Sequence, residues 1–215
     1  QSVQGIQNII QIQVLKQRKI PESLWHRFCY SENFYDTVRE INDKTVVGRE
    51  NRLVIPIYDS EKKVIGLQGR SLNGEIPKYI TIKANDYDDV LIYGKDQKLN
   101  WAENVQVFEG PIDSLFIPNS LAVLGSNLKL LDEKLSSSKL VFCFDNEPRN
   151  KQIVSKMNEA TDLGRRVCIW PDNLKEKDVN DMIISGLTSD EILDMITANT
   201  YEGPSAKLRL STWRK

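Results

Sequence analysis

The chain has 215 residues, 40% of them hydrophobic and 27% charged, with a formal net charge of −1. That is an ordinary balance for one large or two small globular domains, and it argues against a uniformly basic nucleic-acid binder, so any basic surface must be local. Three cysteines without CxxC spacing and the single histidine His26 exclude a Cys/His zinc site, and no run is long or apolar enough to span a membrane.

Residues 1–20 mix Gln, Ile and Val without turn signals and suit a helix. IPESLWHRF (20–28) starts another: Pro21 fits the first turn, and Leu24, Trp25 and Phe28 form an apolar stripe. Residues 52–72 read as a hairpin, with strands over 53–58 and 64–68 flanking the polar turn Asp59-Ser60-Glu61-Lys62. KYITIK (78–83) alternates like a further strand, and NDYDDV (85–90) reads as a loop.

From about residue 104 short apolar strands alternate with helices. The strands are VQVF (105–108), LAVL (121–124), KLVFCF (139–144) and RVCIW (166–170). Between them lie a turn and helix beginning near Pro111, a helix over LKLLDEKL, and an amphipathic helix over 147–163 closed by Gly164. VNDMIIS, ended by Gly186, and TSDEILDMI (188–196), opened by a Thr188/Glu191 capping box, complete the series. This alternation predicts an α/β fold with a parallel sheet covered on both faces. Cys143 and Cys168 lie inside apolar runs and read as buried thiols of a reducing compartment, hence a cytoplasmic chain. A chain that starts with Gln1 reads as a piece of something longer.

In such sheets sites form at the carboxyl ends of strands, and that is where the acids stand. Glu109 follows one strand, Asp145 and Glu147 follow another, and KDVND adds Asp178 and Asp181 after a third. Taken singly, Glu147 and Asp178 also suit helix caps. Taken together, acids from three strand ends form a pattern for a hard divalent cation.

At these residues the sequence resembles the Toprim domain shared by bacterial-type primases, topoisomerases and some nucleases. That family places a Glu after one strand and DxD after another. FEGPIDSL supplies Glu109, and CFDNE supplies Asp145 and Glu147, with Glu in place of the second Asp. Upstream, IPIYDSEKKVIGLQGR (55–70), PKYI (77–80) and IYG (92–94) are similar to successive elements of DnaG-type primases. Downstream, KDVNDM matches an element of phage primases, and EGPIDSLF and LRLSTWRK look like T-even-type bacteriophage primases.

The resemblance implies a Toprim catalytic subdomain over 101–187, preceded by a smaller mixed α/β primase-core subdomain over 1–100 and followed by a C-terminal helix and basic tail over 188–215. It implies synthesis of short RNA primers on a single-stranded DNA template from ribonucleoside triphosphates, with Mg²⁺ or Mn²⁺ as cofactor and a replicative helicase as partner. Glu109, Asp145 and Glu147 would be catalytic, and together with Asp178 would bind metal. Arg70, Lys78, Lys95, Arg149 and Lys151 would bind nucleotide or DNA, with Trp101, Tyr79 and Tyr93 as candidate stacking rings. Two other readings use the same residues: a Toprim nuclease, and a non-catalytic module that binds a helicase or DNA.

Overall fold

The computed structural model describes residues 9–125, 135 and 138–215. The chain divides into two units, Gln1–Gln97 and Lys98–Lys215. In the first, helix α1 (Ile9–Gln17) and a short 3-10 helix (Glu22–Arg27) lead into strand β1 (Cys29–Ser31) and helix α2 (Phe34–Arg39). Strands β2 (Arg52–Tyr58), β3 (Val64–Ser71) and β4 (Tyr79–Lys83) then join β1 in an antiparallel sheet of order β1-β2-β3-β4, and a short buried strand β5 (Leu91–Tyr93) follows.

The β2/β3 hairpin turns at the predicted residues. The Asp59 carboxylate accepts from the N–H groups of Glu61 and Lys63, both at 2.9 Å, and Lys62 takes the left-handed conformation (φ 64°) that closes the turn. Phe34, Val38, Val54, Leu67 and Ile82 form the core under this sheet. Beside it lies Arg52, wholly buried. Its guanidinium pairs with Glu50 at 2.8 Å, donates to the carbonyls of Gly69 (3.2 Å) and Pro77 (3.1 Å), and stands 5.4 Å from the Phe34 ring centre. A buried cation is tolerated only with such partners.

Gly69 is glycine for reasons of space: a Cβ there would stand 2.4 Å from two Phe34 ring carbons and 3.0 Å from the Arg52 Cδ. Gly69→Ala is therefore expected to destabilise the chain by about 1–3 kcal/mol, read as a lower urea midpoint at unchanged slope. An unchanged midpoint would show that the Phe34 ring can move aside.

In the second unit the strands are near-continuous apolar runs. Such runs suit a sheet buried on both faces. Strands β6 (Val105–Phe108), β7 (Ser120–Leu124) and β8 (Leu140–Cys143) are buried at every position, and β9 (Arg166–Cys168) nearly so. The order is β10-β9-β8-β6-β7, with β6, β7, β8 and β9 parallel. The edge strand β10 (Thr200–Tyr201) runs antiparallel to β9, an addition that two residues of sequence do not announce. Among the described residues of this unit the helices are α3 (Pro111–Ser114), α4 (Lys151–Asp162), α5 (Val179–Ser185), α6 (Ser189–Ala198) and α7 (Gly203–Trp213).

The α6 capping box forms as read, with Thr188 Oγ1 accepting from the Glu191 N–H. Helix α4 begins at Lys151, four residues later than predicted, because Glu147 to Asn150 form a turn and Asn150 is the cap. The tail is the larger difference. Pro204 stands in the first turn of α7, and Ala206, Leu210 and Trp213 are buried along one face, so residues 203–213 are a packed helix. The helix expected over LKLLDEKL falls largely outside the described residues. No helix among the described residues is long and apolar enough to cross a membrane.

Candidate active site

Sheet register places the acids. Phe108 pairs with Cys143, and Cys143 with Cys168, so β6, β8 and β9 end level with one another. Glu109 follows directly on β6, and Asp145 follows β8 after Phe144. The turn that carries Asp145 and Glu147 is held from both sides. The Trp170 indole N–H donates to the Phe144 carbonyl at 2.7 Å. The Asn146 N–H donates to the Lys177 carbonyl at 2.6 Å, and its side-chain amide to the carbonyls of Leu174 (3.1 Å) and Glu176 (3.0 Å). The loop after β9 is thereby tied to the loop after β8. Asp178 caps α5, accepting from the Asp181 N–H at 2.8 Å, and the Asp113 carboxylate accepts from the Asn180 N–H at 2.9 Å.

Asp145 records what this convergence does. Burial, reinforced by the negative charges of Glu109 and Asp178, raises its pKa to about 7; Lys177 pulls the other way, and Glu147 adds a smaller push upward. Lys177 lies 3.3 Å from Glu147 and 3.8 Å from Asp145. Burial works against its charge, yet Glu147 and Asp145 outweigh that and hold its pKa above an ordinary lysine's. Lys156, on α4, pairs with Glu109. Glu147 also accepts from the Asn150 side chain at 3.2 Å.

The acids thus act on one another through space, but among the described residues no three metal-ligating side chains form a ready-made cage. Two lysine ammonium groups neutralise the carboxylates instead. Neither Lys156 nor Lys177 is among the site residues that the sequence motifs imply. Lys177 stands beside Asp178 in the quoted KDVND, and two carboxylates flanking one residue already call for a cation between them. Lys156 reaches Glu109 across 47 positions, and nothing in the sequence announces that.

The predicted basic residues divide between the units. Arg149 and Lys151 are exposed at the start of α4, and Arg149 lines a cavity of about 320 Å³ that also includes Glu147 and Lys175. Arg70 and Lys78 lie in the first unit, their cationic groups 5.0 and 5.7 Å from the Tyr79 ring centre, and Lys95 is half-buried just beyond β5. Of the candidate stacking rings, Tyr79 and Trp101 are exposed. Tyr93 is not available: it is 1% exposed. Burial pushes its hydroxyl up to about 12.

This architecture is that of the catalytic core of DnaG-type primases. The chain superposes on a DnaG primase catalytic domain bound to ssDNA with a TM-score of 0.68 at 16% identity, covering 96% of this chain and 76% of that one. It superposes on the RNA polymerase domain of Mycobacterium tuberculosis DnaG with a TM-score of 0.70 at 16% identity, covering 98% and 81%. For the zinc-binding and RNA polymerase domains of Aquifex aeolicus primase the TM-score is 0.69 at 21% identity, covering 96% and 60%.

In sequence the chain is similar to the DNA primase of enterobacteria phage T4, 38% identical over 209 residues. That match covers 95% of this chain and 60% of the phage protein. The DNA primase of Thermotoga maritima is 29% identical over 126 residues, 53% of this chain and 22% of that protein. The chain therefore spans 60% of the phage primase and 22% of the Thermotoga one. No family model matches it.

Proposed function

We propose that the chain is the RNA-polymerase core of a DNA primase, joining ribonucleoside triphosphates into short primers on single-stranded DNA. The observation that carries this reading is the convergence of Glu109, Glu147 and Asp178 on the half-buried Asp145, just beyond the level ends of β6 and β8. An all-oxygen, mutually repelling donor set of this kind suits Mg²⁺ or Mn²⁺. Asp145 and Glu147 would hold the ion, with Asp178 and Glu109 completing its surroundings. When bound, the cation would lower the pKa of an attacking hydroxyl and offset charge on the phosphate.

The chain's own residues supply the rest. Asn146 and Trp170 fix the turn that presents the carboxylates. Lys177 and Lys156 neutralise them, and as ammonium donors would turn to phosphate oxygens once a cation takes the carboxylates. Arg149 and Lys151 bind nucleotide or DNA in this reading, as do Arg70, Lys78 and Lys95 in the first unit. Similarity to the T4 primase and to a catalytic domain captured with ssDNA supports the same template. A replicative helicase is the expected partner, and the cytoplasm (the host's, for a viral chain) the expected compartment.

Incubation with Mg²⁺, the four ribonucleoside triphosphates and single-stranded DNA is expected to yield new oligoribonucleotides. Glu109→Ala is expected to lower the yield at least about a hundredfold while far-UV circular dichroism stays that of the parent chain. Shortened DNA in place of new RNA would make the chain a nuclease. Full synthesis by the Glu109 variant would remove that carboxylate from the chemistry.

A further inference from the structure

A second depression, of about 530 Å³, opens where the first turn of α4 meets the end of α7. Arg149 lines it from the turn before α4, Lys151 from the first turn of α4, and Arg214 and Lys215 from just beyond α7, and Ser155 and Asn158 belong to the same wall. Among the described residues no acidic side chain and no aromatic ring belongs to its wall. Ion pairs of this unit engage Lys156, Lys177, Arg166, Lys207 and Arg209, and none found among the described residues engages a groove cation.

The fold works to bring these charges together. Trp213 and Leu210 are buried, and the Lys215 N–H donates to the Pro148 carbonyl at 3.0 Å, which fixes the end of α7 against the turn before α4. Four like charges gathered without counter-ions repel one another, and the N-terminal end of α4, a twelve-residue helix, adds positive potential. Fixing them there costs stability that an anion would return. Pro148, Arg149 and Lys215 also line the 320 Å³ cavity that contains Glu147, so the groove is continuous with the surroundings of the acids.

We infer that this groove holds the phosphodiester backbone of a single nucleic-acid strand on its way to or from the carboxylates, an assignment that rests on the primase reading. Several cations spread over two chain segments, the start of α4 and the stretch just beyond α7, with hydroxyl and amide side chains in the same wall, match the repeated phosphates of a strand rather than one small anion. The lack of rings in the wall means that the strand is held by charge and not by stacked bases.

The test is fluorescence anisotropy of labelled oligo(dT) and oligo(rU) with the whole chain across a salt series. Replacing Arg149, Lys151 and Arg214 together by Ala is expected to weaken binding about tenfold or more at low salt. It should also make the salt slope shallower by about 2, from three phosphates at about 0.7 each. The larger loss with oligo(dT) assigns the groove to template, and with oligo(rU) to primer. The charge-conserving variant Arg149→Lys/Lys151→Arg/Arg214→Lys is expected to keep most of the slope. Should the Ala variant fail to fold, a photo-crosslinker on Ser211→Cys must label the bound strand in an otherwise unchanged chain.

Unchanged affinity and slope in the Ala variant, or no crosslink, overturns the groove while leaving the primase reading standing if the parent chain makes primers. A parent chain that binds neither oligonucleotide overturns the groove as well. Binding lost through the groove in a chain that makes no primers supports the groove and sinks the primase reading.

Discussion

Asp145→Asn is expected to lower primer synthesis by about a thousandfold and, in the metal-free chain near pH 8, to raise stability at the same time. The first effect follows from removing a carboxylate proposed to hold the cation, a contribution of several kcal/mol at about 1.4 kcal/mol per tenfold. The second follows from the pKa of about 7. An aspartate in the unfolded chain titrates near 3.9. Between those values the native chain holds a proton that the unfolded chain has released, so stability falls as pH rises from about 4 to about 7, and above that the full penalty of a buried, repelled carboxylate applies. Asparagine has nearly the same shape without the charge. After allowance for solvent around a site that is about three-tenths exposed, the gain is about 1–2 kcal/mol, or a Tm rise of roughly 2–8 °C. Thermal scans at pH 8 and pH 4.5 check this. The variant should melt above the parent at pH 8, with most of the difference gone at pH 4.5, and Mg²⁺ should raise the parent's Tm at pH 8 but not the variant's. A variant less stable than its parent at pH 8 would mean that Asp145 is held by its partners as an anion, and the argument for a cation would go with it.

The sequence announced the acids because they sit where local pattern is strongest. Continuous apolar runs such as Val105–Phe108 and Leu140–Cys143 have one common use, as buried parallel strands, and the first charged residue after such a run stands at the sheet's rim. What it did not announce was carried by contacts between distant residues. Lys156 reads as one more charge on an exposed helix until the fold brings it to Glu109, just past the end of β6. Trp170 reads as the end of a strand, although β9 stops at Cys168 and the indole reaches across to Phe144. Strand β1 and helix α2 are too short to show a period. The helix in the tail is legible in a different way. Ala206, Leu210 and Trp213 recur at helical spacing after Pro204, and the basic residues among them mask that stripe.

Trp170 joins the packing of the second unit to its chemistry, so its replacement should disturb both. The side chain is 2% exposed. Its N–H satisfies the carbonyl of the residue before Asp145 at 2.7 Å, while its own carbonyl accepts from Arg209 at 3.3 Å. Trp170→Ala removes the ring and leaves a cavity, an expected loss of about 3–5 kcal/mol. Trp170→Phe keeps most of the volume but leaves the Phe144 carbonyl without its donor in a buried place, an expected loss of about 1–3 kcal/mol. Urea unfolding should rank the midpoints as parent, Phe, Ala. The Phe variant separates packing from positioning. Well below its own melting temperature it is folded, yet the Asp145 turn has lost one of its two anchors and only the Asn146 hydrogen bonds remain. Primer synthesis there should fall about tenfold or more, since small misplacements of reacting groups are costly in rate. A Phe variant that loses stability but synthesises primers at the parent's rate would show that Asn146 alone holds the carboxylates in place.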